Sequence, residues 1–184
     1  MSRWEPGARD RMTRAAVELF AERGFERTTA GDIAERAGVT ERTFFRHFPD
    51  KREVLFDGEQ AMEHAFQEAI AAAPADVAPI DVAIAGARAA AGLLTDRREQ
   101  AARRAQIIAR TPSLQERELL KLAGMTRAAT DSLRERGTAD DTAALAAHCA
   151  VTVFQIAFAR WIDEDAPDLI ACAEEAAAGL RGLF

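Results

Sequence analysis

Apolar residues recur along this chain at spacings of three and four, and glycine, proline and short polar residues punctuate them. That rhythm predicts helices, and almost nothing alternates with the period of two that marks a strand. The first run sets Met12, Ala16, Leu19 and Phe20 on one face and predicts a helix from about Ala8 to Arg23. Gly24 closes it, since glycine tolerates a left-handed backbone at a helix end. Thr29, with Asp32 three positions on, is a capping-box variant opening a short second helix to about Ala37, with Ile33 facing inward. Gly38 breaks that helix, and Thr40 caps the next, about Glu41 to His47, which Pro49 stops. Asp50, with Glu53 three residues on, predicts the cap of a long fourth helix reaching about Ala72 and carrying Leu55, Met62, Phe66 and Ile70. A loop over 71–79 follows, then helices at about 80–94, 97–111, 114–136, 140–163 and 167–183. About nine helices and no sheet make the expected fold all-α.

Residues 29 to 47 thus read as helix, tight turn and helix, the layout of a helix-turn-helix. There the first helix braces the second, whose N-terminal half enters the DNA major groove. Ala34, Ala37, Val39 and Phe44 are apolar where the two helices would pack, while Thr40, Glu41, Arg42, Thr43 and Arg46 would face outward. Arg42 suits a bidentate contact with guanine, and Thr40 and Thr43 suit base edges or phosphate. Lys51 and Arg52, at the expected start of the fourth helix, suit a phosphate.

Charge sharpens this picture. The net charge of −6 argues against nucleic acid as a partner until its distribution is read. Residues 1–56 carry 11 Lys/Arg against 10 Asp/Glu, whereas the remaining 128 residues carry 13 against 20. A slightly basic head on an acidic body fits a DNA-binding head. The expected division is a helix-turn-helix DNA-binding domain over 1–50 and a larger helical ligand-binding and dimerisation domain over 51–184.

The wider stretch "AAVELFAERGFERTTAGDIAERAGVTERTFFRHFPDKREVLF", residues 15–56, resembles the N-terminal domain of the tetracycline-repressor (TetR) family of bacterial transcriptional regulators. The resemblance runs through Ala16, Leu19, Phe20, Gly24-Phe25, Thr28-Thr29, Asp32-Ile33-Ala34, Ala37-Gly38-Val39, Thr43, His47-Phe48, Lys51 and Leu55. It implies that Thr29, Thr40, Glu41, Arg42, Thr43, Phe45, Arg46, His47 and Lys51 meet DNA. One position departs: the family usually has a tyrosine at Phe45, whose hydroxyl reaches a phosphate. Phe45 keeps the ring and loses that bond, a net difference on the order of 1 kcal/mol.

The resemblance also implies a ligand-responsive regulator, most simply a repressor, that binds a palindromic operator as a homodimer and is released by a small effector. "RTPSLQERELLKLAGMTRAATDSLRERG" with "VFQIAFARWI" resembles the C-terminal domain of TetR-like regulators grouped with the mycofactocin-associated regulator, which implies a small apolar or acyl-type effector. Met62, Phe66, Ile107, Ile108, Met125, Phe154, Phe158 and Trp161 are the expected pocket residues, although each taken singly reads equally as plain core. Leu145, Cys149, Thr152, Ile156 and Ala159 form one apolar stripe, and Leu169, Cys172, Ala176, Leu180 and Leu183 another. These stripes read as a dimer interface, or with nearly equal force as an intramolecular core.

Other chemistry is thin. The chain shows no phosphate-cradling glycine loop, no metal-ligand spacing and no nucleophile with a placed base, so it is read as no enzyme and without metal or cofactor. A helical adaptor that no longer binds DNA, or an enzyme without motifs, is the alternative; the exposed Arg42, Thr40 and Lys51 argue against the adaptor. His148 and Cys149 point about 100° apart and lack further ligands. The two cysteines read as free thiols, and the arginine-rich 96–104 as a solvated face. No membrane-length apolar run and no leader-like N-terminus are apparent, so the expected location is the cytoplasm.

Overall fold

A computed structural model describes residues 7–163, 166 and 168–183. Among these are nine α-helices and one short 3-10 turn, with no strand. In chain order they are α1 (Ala8–Arg23), α2 (Ala30–Arg36), α3 (Glu41–His47), the turn Glu53–Phe56, α4 (Glu59–Ala72), α5 (Pro79–Gly92), α6 (Arg98–Ala109), α7 (Pro112–Glu135), α8 (Asp140–Asp163) and α9 (Leu169–Arg181). The expected loop at 163–167 and the first residue of the last expected helix fall largely outside the described residues.

The early helices end where their caps dictate. Gly24 takes φ +85° and Gly38 φ +69°, the left-handed region that glycine enters without a steric cost. At α2 the Thr29 hydroxyl accepts from the Asp32 amide at 3.1 Å, and the Asp32 carboxylate accepts from the Thr29 amide at 2.8 Å, so the capping box is complete.

The fourth helix departs from expectation. Asp50 does cap, accepting from the amides of Arg52 at 2.7 Å and Glu53 at 3.3 Å. What it caps is a single 3-10 turn, and Gly58 (φ +143°) separates that turn from α4. The physical reason lies in Gly58, whose φ is open to glycine but strained for any residue with a Cβ, so the helical path breaks there instead of running on into α4. Val54, Leu55 and Phe56, on the near side of that break, are all buried.

The chain forms two compact units, Met1–Asp57 with Arg103–Glu116, and Gly58–Ala102 with Arg117–Phe184. The first therefore reaches past the expected boundary at residue 50 and takes in a later segment. Val54, Leu55 and Phe56 join Met12, Leu19, Phe20, Ile33, Phe44 and Phe48 in its core, as do Ile107, Ile108 and Leu114. Arg104 fastens this core by donating to the Leu55 carbonyl at 2.6 Å with its guanidinium 4.9 Å over the Phe56 ring. Asp57 accepts from Arg9 at 2.5 Å and from the Thr13 hydroxyl at 3.3 Å, which ties the end of the turn to α1.

In the second unit α5 packs against α4, α8 and α9. Phe66, Met125, Leu133, Phe154 and Trp161 fill its core. Small residues let the helices approach: a Cβ on Gly86 would stand 2.6 Å from the Phe66 ring. Helix α8 is long and apolar enough to match a membrane span, with a mean hydropathy of 1.6. Its Ala143, Ala147, Ala150 and Ala157 are fully buried, so that apolar face belongs to the bundle core.

Candidate nucleic-acid interface and the C-terminal face

Helix α3 has only seven residues and would not persist alone. Two features hold it. The Thr40 hydroxyl accepts from the Thr43 amide at 3.1 Å and lies 2.9 Å from the Thr43 hydroxyl. Phe44 is fully buried and stacks obliquely on buried Phe48, ring centroids 5.4 Å apart. The anchored face thereby fixes the opposite one.

That opposite face carries Arg42 and Arg46, both exposed and without a hydrogen-bond or ion-pair partner among the described residues. The contrast with their neighbours is informative. Arg36 is held by Glu18 and Glu22, and Arg52 by Asp50. Glu41 is exposed in the first turn, and His47 is half-buried beside Phe48. Phe45 is 50% exposed, its ring set edge-on against Phe44 at 5.5 Å and 87°.

Two expected contact residues have other duties. The Thr29 hydroxyl is engaged with Asp32 in the capping box. The Lys51 ammonium donates to the carbonyls of Phe25 at 2.8 Å and Thr28 at 3.0 Å and lies 4.3 Å over the Phe25 ring. Two of its three N–H groups thus brace the head. Both capping carboxylates are held below the usual range. For Asp32 the main cause is the Thr29 amide; for Asp50, burial pulls upward but the hydrogen bonds from Arg52 outweigh it.

In the second unit Met62, Phe66, Met125, Phe154 and Trp161 lie together in the core with Phe158 half-buried against them. Ile107 and Ile108 do not join them: they are core residues of the first unit, and this corrects the expected pocket. Periodicity shows that a helix face is apolar, but not which of two cores it enters.

The two apolar stripes also separate. Leu145 and Ile156 are exposed on α8, with Thr152 exposed and Cys149 half-buried between them. Leu169 and Cys172, expected in the interface, are instead buried in the unit's own core, because the first turn of α9 faces inward. Ala176 and Leu180 lie nearer the surface and, with Cys149, Thr152 and Ile156, line a groove of about 370 Å³ between α8 and α9.

A polar cluster on α4 and α7 was not foreseen. Glu59 is paired with Arg117, and Lys121, a buried lysine, donates to Glu118 at 2.9 Å. Glu63 lies beside Gly124, where a Cβ would stand 2.6 Å from its carboxylate. Burial, with Glu59 nearby, raises its pKa against the pull of Arg127 and Arg117. A lone glycine inside the α7 pattern was the available signal of a close approach. Among the described residues no group of three or more His, Cys, Asp or Glu is placed to hold a metal.

Comparison with known proteins decides what this arrangement is. The pattern of the N-terminal domain of bacterial regulatory proteins of the tetR family matches residues 13–57, and that of the MftR C-terminal domain matches residues 77–184. The chain belongs to the TetR family. It is a family of regulators rather than enzymes. Over 88 residues the chain is 41% identical to the HTH-type transcriptional regulator TcmR of Streptomyces glaucescens, covering 48% of this chain and 39% of that protein. Over 47 residues it is 36% identical to the HTH-type transcriptional repressor KstR2 of Mycolicibacterium smegmatis, covering 26% of this chain and 23% of that one. The matched stretches thus span less than half of either curated relative. The fatty acid degradation regulator FadR from Bacillus halodurans shares the fold, with a TM-score of 0.60 at 20% identity over 97% of this chain and 96% of that one.

Proposed function

We propose that this TetR-family chain is a ligand-responsive DNA-binding transcriptional repressor of the cytoplasm. It binds a palindromic operator as a homodimer and is released by a small apolar or acyl-type effector. The observation that carries the reading is the pair Arg42 and Arg46, exposed and unpartnered on a helix that buried Phe44 and a Thr40 cap hold rigidly. Guanidiniums left free on a fixed helix face suit guanine edges and phosphates. Thr40, Thr43, Glu41 and His47 border that face. Thr29 and Lys51 support it, the lysine with its remaining N–H.

A single short recognition helix gives little affinity. Two copies related by a two-fold axis read successive half-sites about 34–36 Å apart. Leu145 and Ile156, exposed beside the α8/α9 groove, supply an apolar surface on which a second copy can seat. The effector seat is proposed among Met62, Phe66, Met125, Phe154, Phe158 and Trp161. These buried aromatic and methionine side chains adapt to an apolar chain. The effector releases DNA only to the extent that it binds the released conformation more tightly.

A gel-shift titration of the full chain against fragments of its own genome tests this reading. Specific retention of one or a few fragments at moderate salt is expected. Uniform binding of all fragments, or of none, overturns it.

A further inference from the structure

We propose that Phe45 reads sequence: its ring packs on the 5-methyl group of a thymine in the major groove and selects thymine at one position of each half-site. The inference rests on the DNA-binding reading of α2 and α3 and deepens it.

Among the described residues of the first unit, Phe45 is the one large apolar side chain that is exposed. The other large apolar residues described there, from Met12 to Leu114, are buried in the unit's core, apart from Val39, which is half-buried against it. An isolated exposed phenylalanine is unremarkable on most surfaces. Here it lies on the face that carries Arg42 and Arg46. Successive residues of an α-helix are rotated by about 100°, so Phe45 projects roughly 60° from Arg42 and one turn further along. A base edge reached by Arg42 thus has Phe45 beside it.

The chemistry then narrows. A phenyl ring neither donates nor accepts a conventional hydrogen bond, so it cannot hold a phosphate oxygen as a tyrosine hydroxyl does. On the floor of the major groove the apolar feature that differs between bases is the thymine methyl. The ring is also prepared for the contact. Phe44, itself fully buried, holds it edge-on at 5.5 Å, and phenylalanine has only two side-chain torsions to fix. Packing against sugar carbons is the competing use of the same ring, and it would carry no sequence preference.

The test uses the full-length chain and a duplex obtained by repeated selection from random DNA. Each thymine of the half-site is replaced in turn by deoxyuridine, which removes the methyl and leaves pairing intact. Affinity is read by fluorescence anisotropy at fixed salt. At one thymine per half-site the replacement should weaken binding about fourfold, the value of one buried methyl. In Phe45→Ala, whose exposed position leaves the fold intact, the same replacement should change affinity less than about twofold. Phe45→Leu, still apolar, should restore part of the methyl dependence. The proposal is overturned if deoxyuridine is neutral at every position, or if its penalty is the same in Phe45→Ala; the DNA-binding reading survives both. If the wild-type chain selects no sequence at all, both fall.

Discussion

The ammonium of Lys51 lies 4.3 Å above the ring of Phe25 and donates to that residue's carbonyl at 2.8 Å, closing a span of 26 residues. A second bond to the Thr28 carbonyl makes Lys51 the clamp between the end of α3 and the loop that precedes α2. Removing it leaves two half-buried carbonyls without their charged donor. Lys51→Met should therefore destabilise the chain by about 2 kcal/mol, measured by urea unfolding of the protein without DNA. An unchanged midpoint would return Lys51 to the role of a pure phosphate contact.

Gly86 and Gly92 share α5 but differ in their surroundings. A Cβ at 86 would meet the fully buried Phe66 ring at 2.6 Å, whereas one at 92 would meet nothing within 4 Å. Alanine is the better helix former by about 1 kcal/mol, and overpacking a core costs about 1–3 kcal/mol. Gly86→Ala should thus lower the thermal midpoint while Gly92→Ala raises it slightly. Equal shifts in the same direction would show that α4 and α5 are not packed as described.

Glu63 should make stability fall as pH rises. Its carboxyl is raised above the ordinary value in the folded chain, first by burial and then by Glu59, so the native state holds a proton that the unfolded chain has released. Stability is then greatest near and below the ordinary glutamate range and declines as pH climbs through the raised value. Arg117 and Arg127 face the same carboxyl and limit the effect without reversing it. Glu63→Gln should be more stable than the wild type at neutral pH, with the difference vanishing toward acid. Parallel stability profiles for the two proteins would contradict this.

The exposed α8 face predicts self-association. The double variant Leu145→Glu and Ile156→Glu should sediment as a folded monomer where the wild type sediments as a dimer, since both residues are exposed and charge there leaves the core untouched. A wild-type monomer at micromolar concentration would contradict the proposed dimer.

What the sequence made legible follows physical locality. The limits of α1 and α3, and the capping box at Thr29 and Asp32, rest on interactions within a few residues, and they emerge as expected. The break before α4 was written in the Asp57-Gly58 pair, a common turn signal, but the Asp50 cap and the apolar Leu55 and Met62 read as one continuous helix. Ile107 and Ile108 went to the wrong core, and Leu169 and Cys172 to the wrong surface, because an apolar face does not state its partner. The bracing role of Lys51 is illegible for a similar reason: a charged residue near a recognition helix suggests a DNA contact, and nothing in the sequence shows its bonds to Phe25 and Thr28.

On the DNA-binding reading proposed above, Arg42, presented by α3, reads a base within a specific operator. The most direct measurement is the affinity of the full chain and of Arg42→Ala for the selected duplex and for a scrambled duplex at the same salt. The wild type should prefer the selected duplex strongly. Arg42→Ala should lose about 1–3 kcal/mol on that duplex, with far less change on the scrambled one. Equal binding of both duplexes by the wild type, or an equal loss on both in the variant, would contradict it.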